Sequence, residues 1–196
     1  MLGLYIGIIL LLNIPYVQHR MSVLVAKELS TVLGSELTVG RINIGLLNRI
    51  IIDDLVLNDQ SGKELLKIGR LSAKFEILPL FSGKISIGNV QLFSFNANLE
   101  RPTPQASTNF QFVLDAFASK DTVKKKSNLD LRINSLLIRR GKVSYDVLSA
   151  ESTPGKFNPQ HIRLSNILAN ISLKALQNDS VNAAIKRMSV EAVSYT

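Results

Sequence analysis

The stretch Ile85-Ser86-Ile87-Gly88-Asn89-Val90-Gln91-Leu92 decides how this chain is read. Apolar residues alternate with others, two residues intervene, and the alternation resumes in a shifted phase. Alternation is the period of a strand with one buried face, and one extra residue within it marks a β-bulge or a bend. The pattern returns as Leu131-x-Ile133-x-x-Leu136-x-Ile138 and as Ile162-x-Leu164-x-x-Ile167-x-Ala169, with a weaker echo in Ile185-x-x-Met188-x-Val190. Irregular intervals between the copies exclude a fixed-period solenoid. What recurs is a long strand bent in its middle.

Upstream, the same change of phase separates Leu37 and Val39 from Ile42 and Ile44, then Ile50 and Ile52 from Leu55 and Leu57, and Ile68 from Leu71, Ala73, Phe75 and Ile77. Residues 58–62 and 78–83 carry the turn chemistry between these runs. Residues 101–127 interrupt them. Arg101-Pro102-Thr103-Pro104-Gln105 opens a loop, Phe110, Val113, Leu114 and Phe117 recur at helical spacing, and Lys124-Lys125-Lys126 lies in a linker that reads as solvated. Residues 149–159, with Pro154-Gly155 and Pro159, read as a hairpin loop.

Before Gly34 the period is helical. Leu2 to Val17 is apolar apart from Asn13 and Pro15, with no preceding Lys or Arg and no small-residue cleavage site after it, which predicts an uncleaved membrane anchor rather than a removed signal peptide. The run is short of the about 20 residues that ordinarily cross a bilayer. Arg20 and Lys27 lie on its C-terminal flank, where the positive-inside preference opposes export of the remainder, although large domains translocate despite such charges. Val17, Met21, Leu24, Val25, Leu29, Val32 and Leu33 then give an amphipathic helix ended by Gly34. Its apolar face is expected to close the sheet, with Met21, Leu24, Val25, Leu29 and Val32 as the entry surface. The chain thus divides into an anchor at 1–17, a capping helix at 18–34, a first sheet segment at 35–100, a loop with a short helix and basic linker at 101–127, and a continuing sheet at 128–196. The last segment stops in mid-strand and is expected to continue in a longer protein.

Of 196 residues, 46% are hydrophobic and 19% charged, the balance of a folded chain. With no Cys there is no disulfide, thiolate metal site or Cys nucleophile. The net charge of +8 lies downstream, since residues 1–60 hold four Lys/Arg against five Asp/Glu and the rest nineteen against ten. Nucleic acid is not expected as a partner, because Trp is absent and most Phe fall in the apolar phase instead of serving as stacking platforms. His19 and His161 have no carboxylate at ligand spacing, and Asp53-Asp54 are adjacent strand positions pointing to opposite faces. Phosphate-loop and nucleophile-elbow motifs are missing. The expectation is a non-enzyme with no catalytic residue, metal, cofactor or small-molecule substrate.

The ordered series of anchor, helix ending in Val32-Leu33-Gly34, Leu37 to Ile44, Ile52-Asp53-Asp54-Leu55-Val56-Leu57-Asn58-Asp59, Leu66 to Leu71, and Leu78-Pro79-Leu80-Phe81 running into Ile85 to Leu92 resembles the N-terminal region of AsmA-like and TamB-like envelope proteins. The likeness extends to about residue 118 and is shared distantly by chorein-type bridge-like lipid transfer proteins. It implies a single-pass inner-membrane protein with its bulk in the periplasm, engaged in phospholipid transport toward the outer membrane, or, as for TamB, working beside an outer-membrane barrel protein.

The residues on their own are compatible with that role. A sheet bent at every strand curls, so the expected fold is mainly β, a curled antiparallel β-groove of the β-taco kind behind the N-terminal helix. Ile85, Ile87, Val90, Leu92, Leu131, Ile133, Leu136, Ile138, Ile162, Leu164 and Ile167 would line it, where an acyl chain gains about 0.8 kcal/mol per buried CH₂. The same residues packing on one another or on the helix is an equal expectation. An assembly factor that lends strand edges to outer-membrane proteins, and a plain structural tether, are the alternatives.

Overall fold

The computed structural model describes residues 2–45, 48–76, 86–117, 132–153, 155–177 and 180–192. Two helices lead, α1 (Leu2–Leu12) and α2 (Pro15–Leu33). They are followed by β1 (Leu37–Gly45), β2 (Arg49–Asn58), β3 (Glu64–Glu76), β4 (Ser86–Arg101), a short helix α3 (Gln111–Phe117), β5 (Arg132–Val147), β6 (His161–Gln177) and β7 (Ser180–Ala192). The strands form one open sheet in chain order. The turn at 78–83, the lysine run at 124–126, and Ile77, Ile85 and Leu131 lie outside the described residues.

The expectation of an all-antiparallel sheet is corrected: β4 and β5 pair in parallel, and the other neighbours are antiparallel. A parallel pair needs a long crossover, which the segment containing α3 supplies between the end of β4 and the start of β5. Two copies of the bent-strand pattern therefore lie side by side in register, with Ile87 beside Ile133, Val90 beside Leu136 and Leu92 beside Ile138.

The apolar N-terminus is also not one helix. It breaks at Asn13 and Ile14, where Ile14 is extended (φ −65°, ψ 131°), as the residue before a proline prefers, and Pro15 opens α2, where its missing N–H costs nothing. The eleven residues of α1 rise about 16 Å, against about 30 Å of hydrocarbon. Among the described residues no helix is long and apolar enough to cross a membrane. Gly34 ends α2 in the left-handed conformation at φ 62°, as its position after Leu33 predicts.

Helix α2 packs against β1 and supplies partners for its edge. The Leu37 N–H donates to Ser30 Oγ (2.9 Å), and Ser30 Oγ donates to the Leu37 carbonyl (3.2 Å). Asn13 Nδ2 donates to the Ile44 carbonyl (2.8 Å), and Gln18 Nε2 to Asn43 Oδ1 (2.6 Å). An edge strand so engaged is closed to further pairing there. This explains why polar Gln18 is buried on α2 while Leu24 and Val32 are exposed; Ser22, also buried, donates from Oγ to the Gln18 carbonyl of its own helix (2.9 Å). Of the predicted entry surface, Met21, Val25 and Leu29 are half-buried and Leu24 and Val32 point away. Helical spacing marks apolar positions, but it was the polar ones that β1 recruited.

Bends form a line across the sheet; those on β2 and β6 fall at the expected shifts of phase, between Ile52 and Leu55 and between Leu164 and Ile167, whereas β4 and β5 turn at Ser94 and Arg140, beyond the shifts expected at 88–89 and 134–135. Asp54 on β2, Ser94 on β4, Arg140 on β5 and Asn166 on β6 all have positive φ, between 48° and 55°. On β1 and β3 the matching positions are glycines. A Cβ on Gly40 would come within 3.0 Å of Asp54 Cβ, and one on Gly69 within 3.3 Å of Ser94 Cβ. Each extra residue resets the alternation, so apolar positions three apart keep to one face.

A buried cluster of Leu33, Leu37, Leu57 and Leu65 joins α2 to β1–β3, and Leu29, Leu99, Phe110, Phe112 and Val113 pack on it from α2, β4 and the α3 region. The β2–β3 turn is tied into the same end. Asp59 Oδ1 accepts from the Ser61 N–H (2.8 Å), Ser61 Oγ (2.6 Å) and the Lys63 N–H (3.0 Å). Asn109 bonds both the Glu100 N–H (2.9 Å) and the Asn98 carbonyl (3.1 Å).

Candidate functional site: an apolar face and its basic reverse

Registers assemble the apolar residues into rows. One row crosses all seven strands as Ile42, Ile52, Leu71, Leu92, Ile138, Ala169 and Met188. The next crosses them as Ile44, Ile50, Ala73, Val90, Leu136, Ile171 and Ile185. Beyond the line of bends, Leu37, Leu57, Leu66, Ala97, Val143 and Leu164 make a third row over six strands. No polar residue interrupts any of them.

These rows gather five of the residues expected to line a groove, Val90, Leu92, Leu136, Ile138 and Leu164. Ile87, Val90, Leu92, Leu136, Ile138, Ile162 and Leu164 are half-buried, and Ile167 is buried. Ile133 pairs with Ile87 through the backbone, and its side chain lies outside the described set. The rows also recruit Ile42, Ile44, Ile50, Ile52 and Leu71 from β1–β3, and Ile171, Ile185 and Met188 from β6–β7. The signal for the first group was the same shifted alternation, present before the first full copy of the pattern. Between the rows the Phe95 ring lies over Gly141, where any side chain would collide with it; glycine lets the ring span the bend.

Coverage differs along the face. Next to α2 the rows are buried at Leu37, Ile42 and Leu57, and Leu55 and Ile68 are buried between them. At β7 they end in Ile185 and Met188, which are 62% and 57% exposed.

The reverse face is polar and basic. Across it Arg41, Asp53, Arg70, Phe93 and Arg139 follow one another by register. Arg70 Nε donates to Asp53 Oδ1 at 2.6 Å, a bond that holds the Arg70 guanidinium above its ordinary pKa. Arg139 lies 5.8 Å from the centre of the Phe93 ring, a cation–π distance. Farther on come Arg140, Lys186 and Arg187. Sequence reasoning passed over these, although the pairs Arg139-Arg140 and Lys186-Arg187 each sit at a break of phase.

Sequence spacing also missed a charged trio at the β5–β6 hairpin, because register rather than proximity in the chain sets Asp146 opposite His161. His161 Nδ1 is 2.9 Å from Asp146 Oδ1, its Nε2 is 3.1 Å from the Ala150 carbonyl, and Arg163 reaches Asp146 Oδ2 at 2.8 Å. Both ring nitrogens face acceptors, so the imidazolium satisfies both; the Asp146 bond, then the Ala150 carbonyl, raise the His161 pKa. Burial acts to raise the Asp146 carboxyl, but bonds from Arg163 and His161 outweigh it and hold the group below its ordinary value. At Asp59 burial is likewise overcome, by the bonds from Ser61, Lys63 and Asn109.

Comparison of the chain with family models, with curated proteins and with solved structures finds no match.

Proposed function

We propose that this chain is an envelope protein whose apolar sheet face is the start of a hydrophobic groove for phospholipid, held at the inner membrane by its first residues and projecting into the periplasm toward the outer membrane. The observation that carries the reading is the pair of uninterrupted apolar rows across seven strands, buried beside α2 and open toward β7. An exposed apolar surface of that extent costs free energy unless something covers it, and acyl chains fit a track with no polar group along it. The line of bends supports a curled sheet, since left-handed residues in neighbouring strands turn each strand at the same level. Exposed Ile6, Leu10 and Leu11 on α1, and Ile14 just after it, support membrane contact by this end of the chain.

The test uses the full chain in liposomes carrying a phospholipid with a photoactivatable acyl chain. Wild-type protein is expected to be labelled along β4–β6. Leu136→Glu should lose that labelling while keeping its circular-dichroism spectrum. Undiminished labelling of the folded variant would overturn the proposal.

A second reading is favoured by the open side of β7, which among the described residues pairs only with β6. A free edge can accept another strand, as an assembly factor for outer-membrane proteins beside a barrel partner would. Crosslinks from β7 to an unfolded barrel protein, insensitive to Leu136→Glu, would select it.

A further inference from the structure

We infer that the reverse face of β5–β7 carries a binding site for a ligand bearing two or more phosphate groups. Arg139, Lys186 and Arg187, with Leu137, Leu168 and Asn170, line an open depression of about 510 Å³. A second depression of about 380 Å³ shares Arg139 and Leu168 with it and adds Arg140. None of these four cations forms an ion pair among the described residues. Asp53 is paired with Arg70 and Asp146 with His161 and Arg163, while Glu191 accepts from the neutral Asn166 Nδ2 at 2.6 Å and keeps its charge, one carboxylate against four cations.

Cations gathered in excess of their counter-charges repel one another, and a multiply charged anion relieves the repulsion. Guanidinium forks match phosphate oxygens in pairs. Arg140 is a separate sign. Its φ of 54° is a conformation that suits glycine or asparagine, and the same bend is made on β2, β4 and β6 by Asp54, Ser94 and Asn166. A long cationic side chain is therefore not needed to turn the strand, and its presence there is accounted for by the anion. Nucleic acid fits less well, since Phe93, the aromatic of this surface, is covered by Arg139.

The site lies on the face opposite the apolar rows and stands independently of the lipid proposal. The full chain is titrated with inositol hexakisphosphate and, separately, with phosphatidylcholine vesicles with and without cardiolipin. Binding of the soluble probe identifies free phosphates as sufficient, and binding to cardiolipin vesicles alone identifies lipid headgroups; either supports the site. Arg139→Gln/Arg187→Gln should weaken binding by about tenfold or more, whereas Lys67→Gln/Lys156→Gln, with the same loss of charge elsewhere, should change it by less than about twofold. Arg140→Asn should weaken binding with an equal or higher thermal midpoint, separating ligand loss from unfolding. Equal losses in the two double variants, or no binding of either probe, would overturn the inference.

Discussion

The β1–β3 and β5–β7 ends of the sheet are built from the same bent, alternating strand, and they differ in what lies over them. At the first end α2 and α3 complete a core around Leu33, Leu37, Leu57 and Leu65, and hydrogen bonds from Ser30 and Asn13 engage the β1 edge. At the second, Ile185 and Met188 remain exposed, and the opposite face collects cations that form no ion pair among the described residues. The shared pattern teaches that alternation decides which face is apolar. It does not decide whether that face becomes a core or a contact surface; that depends on whether another element reaches it.

The comparison breaks most sharply on cavity formation. Leu65 is 1% exposed in the covered end, and Leu65→Ala should cost about 2–5 kcal/mol in urea denaturation. Leu136→Ala, on the half-buried stretch, should cost less than about 1.5 kcal/mol. Equal costs would mean that both ends are packed alike.

Next in size is the polar tie of the covered end. Asn109→Ala leaves the Glu100 N–H and the Asn98 carbonyl without that partner and should cost about 1–3 kcal/mol, with faster amide exchange in the β2–β3 turn and unchanged exchange in β6. Ser30→Ala removes two bonds to Leu37 from a half-buried site. It should cost about 0.5–1.5 kcal/mol, seen as exchange of the Leu37 amide while β5 and β6 stay protected.

The smallest effect sharpens the comparison by pH. Asp59 and Asp146 have lowered values when folded, so their contribution is present above about 3.9 and is lost as pH falls through the folded values; acid weakens both ends. His161 is raised when folded. Its contribution is complete below about 6.5 and is lost as pH rises through the folded value, which weakens only the β5–β6 hairpin. A thermal-midpoint profile should fall on the alkaline side for wild type and lose that fall in His161→Asn.

Much of the strand content was legible because alternation is local: a residue two positions away shares a face whatever the rest of the chain does. The breaks of phase at Gly40, Asp54, Gly69 and Asn166 were legible for the same reason, and so was the cap at Gly34. Pairing was less so. The parallel contact of β4 with β5 follows from a crossover whose path no local pattern encodes, and it brings Arg139 beside Phe93 across 46 positions of the chain. The β5–β6 register likewise joins Asp146 to His161.

By itself, then, the sequence determined an apolar face carried on bent strands, a helix ending at Gly34 and a basic downstream half, since each rests on spacing or composition. Only the tertiary structure decided that the sheet is mixed, that α2 turns Gln18 and Ser30 toward β1 and leaves Leu24 and Val32 outside, and that four cations share one surface. Those outcomes depend on which backbone groups need partners and on which strands become neighbours. Both are settled by contacts between residues far apart in the chain.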